Sequence, residues 1–282
     1  MSRIDLHLHT TASDGRFTPA ELVAKIAALG LEVIAITDHD TVAGIAPALA
    51  AAKAFPKLVV IGGVEINTDV TQGEAHLLGY FLNDTDTNLI SSLDNLRDSR
   101  VTRAKRMVAK LADLGVNISF TMVQELAGSA TIGRPHIAQA LFENGYINSF
   151  HEAFERYIGR EGPAYVEREK ITQEAAIELV LDAGGLPVLA HPYTVGEVEP
   201  MVKRLKDAGL VGLEAYYKDY SPAKVRELVA MARKYRLLVT GGSDYHGIDD
   251  TEVIPGNVKI PGEVADKLFA LARARGLKIS CP

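Results

Sequence analysis

The residues best equipped for chemistry in this chain are its histidines, and they are not scattered. Of the eight, His7 and His9 close the apolar run Ile4-Asp5-Leu6-His7-Leu8-His9, His39 follows another in Thr37-Asp38-His39-Asp40, and His76 opens a third. His191 stands in Ala190-His191-Pro192 and His246 in Ser243-Asp244-Tyr245-His246, each just past an apolar run. Asp14, Glu65 and Asp244 occupy similar places. Residues two apart in a strand face the same side, so Asp5, His7 and His9 share one face and Ile4, Leu6 and Leu8 the other. A single strand-end histidine is usually a hydrogen-bonded structural residue. Six imidazoles and three carboxylates in one crevice would instead leave buried polar groups and like charges uncompensated, at a cost of roughly several kcal/mol. Divalent cations remove that cost. A mixed set of histidine and carboxylate suits Mn²⁺, Fe²⁺ or Zn²⁺ better than Ca²⁺ or Mg²⁺.

Such a crevice needs elements that bring distant residues together. Apolar, β-rich runs at 4–9, 33–37, 58–64, 75–82, 186–190, 212–216 and 237–241 predict seven strands. Helices are signposted between them: Thr18-Pro19-Ala20-Glu21 combines a cap, a first-turn proline and a capping-box glutamate, and Ser221-Pro222 repeats its first half. Strand alternating with helix predicts parallel βαβ units, whose strand C-termini converge on one mouth. One segment breaks the rhythm. Across 87–165, Leu89, Leu93, Leu96, Ala104, Met107, Leu111 and Leu114 recur at helical spacing until Gly115, and capping-box spacing follows at Thr121–Gln124 and Ser149–Glu152. The expected organisation is an α/β barrel over 1–86 and 166–282, with a helical insert over 87–165 capping its site.

Composition narrows the function. The net charge of −6 argues against coating of long nucleic acid, whose non-specific binding comes from neutralising many phosphates. The lone cysteine, Cys281, excludes an internal disulfide and a thiolate metal site. No apolar run reaches the ~20 residues of a membrane span, and the start lacks a signal-peptide core, so a cytoplasmic location is expected, with no membrane and no obligate protein partner.

Together, His7-Leu8-His9-Thr10 followed by Ser13-Asp14-Gly15, Thr37-Asp38-His39-Asp40, Gly63-Val64-Glu65-Ile66, His76-Leu77-Leu78-Gly79-Tyr80, Ala190-His191-Pro192 and Gly242-Ser243-Asp244-Tyr245-His246-Gly247 resemble the motifs of the PHP (polymerase and histidinol phosphatase) family, in order and across nearly the whole chain. The resemblance implies a distorted (β/α)7 TIM-like barrel holding three divalent metal ions, with manganese expected and iron or zinc the alternatives. It implies His7, His9, Glu65 and Asp244 around the first ion, Glu65, His76 and His191 around the second, and Asp14, His39 and His246 around the third. Ions there would attract phosphate and lower the pKa of a bound water from about 16 to about 7, giving a hydroxide nucleophile for phosphoester hydrolysis. Asp40, His191 and Asp244 are the candidate catalytic residues, Asp40 as the acid for the leaving group. Asp5 and Asp38 are candidate acceptors for ligand histidines, a plain strand-end hydrogen bond being the alternative for each.

The insert carries Ser129-Ala130-Thr131-Ile132-Gly133-Arg134-Pro135-His136. Pro135 predicts the first turn of a helix ending near Asn144-Gly145, so Arg134 sits at a helix start suited to an anion. Ser129, Arg134, His136 and Lys170 are the substrate-binding candidates, with a salt bridge for Arg134, packing for His136 and a solvated face for Lys170 as alternatives. The run Arg97, Arg100, Arg103, Lys105, Arg106 and Lys110 reads as a wet helix face. An insert with Gly-Arg-Pro-His resembles the bacterial 3′,5′-nucleoside bisphosphate phosphatases, which implies removal of a 3′-phosphate to leave the 5′-nucleotide. The alternatives are a 5′→3′ exonuclease on the 5′ ends of short RNA, a histidinol-phosphate phosphatase and a non-catalytic metal-binding module.

Overall fold

Thr18 starts the first helix as its sequence dictates: its hydroxyl accepts the Glu21 N–H while the Glu21 carboxylate accepts the Thr18 N–H. The computed structural model describes residues 3–69, 75–128, 132–167, 171–194, 196–248, 251–277 and 279. By contact density the chain divides into two units, Met1–Ser91 with Lys170–Pro282, and Ser92–Glu169. No helix among the described residues is long and apolar enough to cross a membrane.

The order is β1 (Ile4–Asp5), α1 (Pro19–Ala28), β2 (Val33–Ile36), α2 (Ile45–Ala52), β3 (Val59–Thr68), β4 (Ala75–Tyr80), α3 (Thr87–Asp113), α4 (Phe120–Ala127), α5 (Arg134–Glu143), α6 (Phe150–Ala153), α7 (Gln173–Asp182), β5 (Leu186–Leu189), α8 (Val198–Asp207), β6 (Gly212–Tyr217), α9 (Pro222–Lys234), β7 (Leu238–Gly242) and α10 (Glu263–Ala274). The seven strands pair in chain order. Past β1, Leu6 N–H donates to Gly241 O and His9 N–H to Tyr245 O, which nearly closes the sheet into the expected barrel. Closure demands a close approach: a Cβ on Gly242 would lie 2.3 Å from His7 Cβ, so glycine is what lets His7 sit against β7.

The expectation of a wholly parallel sheet is wrong at β4, which runs antiparallel to both β3 and β5. The six residues between β3 and β4 are too few for the crossover a parallel pair needs, about a dozen or more. The reversal still serves the site. An antiparallel strand presents its N-terminal end at the rim where its neighbours end, so His76, second in β4, meets Glu65 of β3, His39 past β2 and His191 past β5.

Apolar clusters line the barrel unit. Ile4, Leu6, Tyr80, Leu186, Val188 and Leu268 pack together, with the Tyr80 hydroxyl donating to Leu6 O. Leu22, Val23 and Ile26 of α1 cover Ile34, Ile36 and Leu58. The helical unit has its own core of Met107, Leu111, Val123, Ile137, Leu141 and Ile158, so its periodicity encodes a self-sufficient interior. Of the predicted caps there, Ser149 holds α6, but α4 begins two residues early, with Ser119 accepting the Met122 N–H. Ser is a better cap than Thr121, and it brings Phe120 onto the helix.

Candidate metal centre

Each candidate ligand is set by the end of a strand. His7 and His9 follow β1, Glu65 lies within β3 because that strand continues to Thr68, His76 lies in β4, and Asp244 and His246 follow β7. His39 is tied across to Glu65 by a parallel bridge. Asp14 is positioned by a turn that Asp38 holds: its carboxylate accepts Thr10 N–H at 2.7 Å, Thr10 Oγ1–H at 2.8 Å and Ser13 Oγ–H at 2.7 Å. A Cβ on the next residue, Gly15, would lie 2.4 Å from His9 O, so the turn also needs glycine.

Glu65 is the hub. Its Oε2 lies 3.1 Å from His7 Nε2, 3.3 Å from His9 Nε2 and 3.1 Å from His39 Nδ1, and its Oε1 lies 2.7 Å from His76 Nδ1 and 3.0 Å from His191 Nε2. Asp244 Oδ1 lies 3.4 Å from His7 Nε2 and 3.1 Å from His9 Nε2, and Asp14 Oδ1 lies 3.4 Å from His246 Nε2. Potential ligand atoms converge in three groups: His7, His9, Glu65 and Asp244; His9, Asp14, His39 and His246; and His39, Glu65 and His76. The first set matches the quartet implied by resemblance. The second adds His9 to its trio. The third contains His39, with His191 close by on Glu65 Oε1.

The donor chemistry fits cations. His7 Nδ1 is 3.0 Å from Glu214 Oε1, which fixes the ring proton on Nδ1 and leaves a lone pair on Nε2, aimed at the lone pairs of Glu65. His7 Nε2, His9 Nε2, Asp14 Oδ1 and Glu65 Oε2 are all buried without a hydrogen bond. Facing lone pairs at about 3 Å repel unless a proton or a metal ion lies between them. Burial alone would push Glu65 up, but His39, His7 and His76 hold it well below the usual carboxylate range. Burial opposes charge on His9, yet Asp244, Glu65 and Asp14 lift it to about 10. Against burial, Glu214, Glu65 and Asp244 raise His7, and Glu65, Glu214 and Asp244 raise His191, whereas burial lowers His39 to about 3.

Asp40, His191 and Asp244 all have left-handed backbone, with φ of 50°, 25° and 50°. Each such non-glycine residue stores about 1–3 kcal/mol, strain that is common where a site dictates the backbone. Asp40 is buried, and its Oδ1 accepts the Asn67 N–H. Asp5 does not reach a ligand ring. It accepts N–H groups of Ser243, His7 and Gly256, and burial raises its pKa to about 6. For Asp5 and Asp38, the plain hydrogen-bonding role is the one observed. Ser129 and Lys170 lie outside the described residues. Arg134 opens α5, which ends at Glu143 before Asn144, and its guanidinium sits over the Phe154 ring at 5.5 Å. His136 Nδ1 accepts the Gly133 N–H at 3.0 Å.

Sequence reasoning missed four residues that touch ligands. Glu214, fully buried, takes His7 Nδ1 and the His191 N–H on its two oxygens. Tyr217 OH donates to Asp244 Oδ2 at 2.8 Å, and Lys218 Nζ reaches Asp244 O at 3.0 Å. Glu252 accepts the N–H groups of His246, Gly247 and Ile248. The signal for Glu214 was present: an acid between Leu213 and Ala215 in an apolar strand is as anomalous as a histidine there. Glu214→Ala should weaken divalent-metal binding about 10–100-fold, and Glu214→Gln should recover part of that. A chelating-dye competition checks this, and an unchanged affinity would deny Glu214 a part in orienting His7.

A nearly closed barrel whose rim gathers imidazoles and carboxylates around buried lone pairs defines a metal-dependent hydrolase. The PHP domain model matches residues 5–175, and the chain belongs to that family of metal-dependent phosphoesterases. It is 30% identical to the 3′,5′-nucleoside bisphosphate phosphatase of Chromobacterium violaceum, over 87% of this chain and 88% of that one. It is 34% identical to the 5′-3′ exoribonuclease Rnm of Escherichia coli (strain K12), over 86% and 84%. The solved structure of a Bifidobacterium adolescentis protein designated a metal-dependent phosphoesterase superposes with a TM-score of 0.87 at 30% identity, covering 98% of this chain and 97% of that one.

Proposed function

We propose that the enzyme removes the 3′-phosphate of nucleoside 3′,5′-bisphosphates, such as adenosine 3′,5′-bisphosphate, releasing the 5′-nucleotide. The observation that carries the hydrolytic part is the convergence of His7, His9, Glu65 and Asp244, with His7 Nε2, His9 Nε2 and Glu65 Oε2 buried and without hydrogen bonds. His7, His9, Glu65 and Asp244 would hold a divalent ion, manganese being the expected metal, and such ions would supply activation of water at neutral pH and neutralisation of phosphoryl charge. The chain's own residues orient and restrain. Glu214 fixes the tautomer of His7, and Tyr217 and Lys218 hold Asp244 Oδ2, which leaves Oδ1 facing the histidines. Asp40, whose Oδ1 accepts the Asn67 N–H, is the residue proposed to give the leaving group its proton, while His191 and Asp244 are proposed to take part in catalysis through the ions they would hold. The likeness to a bisphosphate phosphatase across most of both chains supports the substrate, and within the helical unit Arg134 and His136 are proposed as anion-binding residues, at a helix start that favours anions.

A second reading, stepwise 5′→3′ hydrolysis of short RNA, is favoured by the likeness to an exoribonuclease. Both are tested by incubating the manganese-loaded enzyme with adenosine 3′,5′-bisphosphate, a 5′-phosphorylated trinucleotide and histidinol phosphate. The expected result is phosphate and adenosine 5′-monophosphate from the first. Turnover of histidinol phosphate without turnover of the bisphosphate would overturn the assignment, and mononucleotides from the trinucleotide alone would select the second reading.

A further inference from the structure

A cleft of about 760 Å³ lies in the barrel unit, lined by Tyr216, Lys218, Tyr220, Arg226, Ile254 and Lys259 among others. It abuts the metal centre. Tyr217 and Lys218 form part of its wall, and both contact Asp244. A bulge between Glu214 and Tyr216 makes this possible: it breaks the alternation of β6, so that Glu214 and Tyr217, three apart, both reach ligands.

The lining has a distinct chemistry. Tyr216, Tyr217 and Tyr220 are half-buried, the Tyr217 and Tyr220 rings lie 5.2 Å apart, and Ile254 on the rim is 45% exposed. The charge is positive on an otherwise acidic chain. Glu252, the acid in the lining, is engaged by three backbone N–H groups. Lys218 is held by Asp244, whereas Arg226 and Lys259 are exposed and have no acidic partner among the described residues. Aromatic and aliphatic surface beside uncommitted cations is the combination that binds single-stranded nucleic acid, the bases on the apolar faces and the phosphates on the cations.

We infer that this cleft is a subsite for a further nucleotide unit of a short single-stranded RNA whose end lies on the metal centre. Tyr216, Tyr220 and Ile254 would meet its base, and Arg226 and Lys259 its phosphate. A bisphosphate mononucleotide has no third phosphate to offer them. The inference rests on reading the centre as a phosphoesterase site, and it deepens the short-RNA reading by naming the residues that would hold the next nucleotide.

The test compares the manganese-loaded wild type with the variant Arg226→Ala/Lys259→Ala, whose changes are on exposed side chains. Binding of a 5′-phosphorylated, phosphorothioate-linked trinucleotide, labelled at its 3′ end, is followed by fluorescence anisotropy across a salt series. Competition by adenosine 3′,5′-bisphosphate gives the second affinity. The ratio of trinucleotide to bisphosphate affinity should fall at least about tenfold, and the salt slope for the trinucleotide should drop by about 1.4, roughly 0.7 for each cation on a single strand. An unchanged ratio overturns the subsite. Hydrolysis is scored separately: if the wild type cleaves neither substrate, the phosphoesterase reading fails, while the anisotropy still decides the cleft.

Discussion

Glu65→Gln should lower phosphoester turnover by about a thousandfold or more, the scale expected when a ligand shared between ion sites loses its charge. Glu65 is singled out because its two oxygens lie within 3.3 Å of five imidazole rings, those of His7, His9, His39, His76 and His191. Glutamine keeps the shape but offers one weak donor oxygen and an N–H₂ group that points protons at lone pairs. Two of the three ligand groups contain this residue. The variant should therefore also bind less metal, which elemental analysis reads independently of activity. Full metal content with wild-type turnover would remove Glu65 from its central position.

Metal loading should raise the melting temperature by about 10 °C, since an ion at a thousandfold over its Kd adds about 4 kcal/mol and each kcal/mol moves a domain of this size by about 2–4 °C. Loading should also release protons. His9, with a pKa near 10, carries its extra proton at neutral pH in the metal-free protein, and a cation must displace it; Glu214, Glu65 and Asp244 raise His7 and His191 in the same direction. The apparent metal affinity therefore rises with pH. For the metal-free fold, a histidine whose pKa is raised stabilises fully below its ordinary 6.5 and loses that contribution as pH climbs towards 10 for His9. Asp14, Glu65 and Asp244, held low by neighbouring histidines although burial opposes this, stabilise above the ordinary carboxylate range. Their contribution is lost as pH falls through their depressed values. His39 has the opposite sign to the other histidines: with its pKa near 3, folding is penalised as pH falls below 6.5, because the unfolded chain takes a proton that the folded one refuses. Chelated protein should therefore melt progressively lower from neutral to alkaline pH, while manganese-loaded protein should not. Coincident melting curves with and without chelator would contradict this.

The parts legible in the sequence were those where a residue type clashes with its surroundings. Histidines at the ends of apolar runs, and Glu65 and Asp244 beside them, stood out because a strand end has no packing reason to hold them, and the barrel brings them together. The grouping of ligands was less legible. That His39 shares Glu65 follows from the bridge between them and from the continuation of β3 to Thr68, a strand length that the apolar run to Val64 did not reveal. The reversal of β4 was readable in principle, since the short β3–β4 link forbids a crossover, but apolar character alone carries no direction. Glu214 and Lys218 escaped because no short motif surrounds them: a supporting side chain is defined by what it touches across the barrel, 207 residues away for Glu214 and His7. The helical unit was visible as periodicity, although its first cap after α3 lay at Ser119 rather than Thr121.

The most direct measurement is anomalous diffraction from crystals of the protein grown with manganese. Peaks should fall inside the crevice, one of them enclosed by His7, His9, Glu65 and Asp244, where His7 Nε2, His9 Nε2 and Glu65 Oε2 lie buried without hydrogen bonds. A crevice without anomalous signal, while manganese appears elsewhere on the protein or nowhere, would contradict a metal-dependent site at this rim.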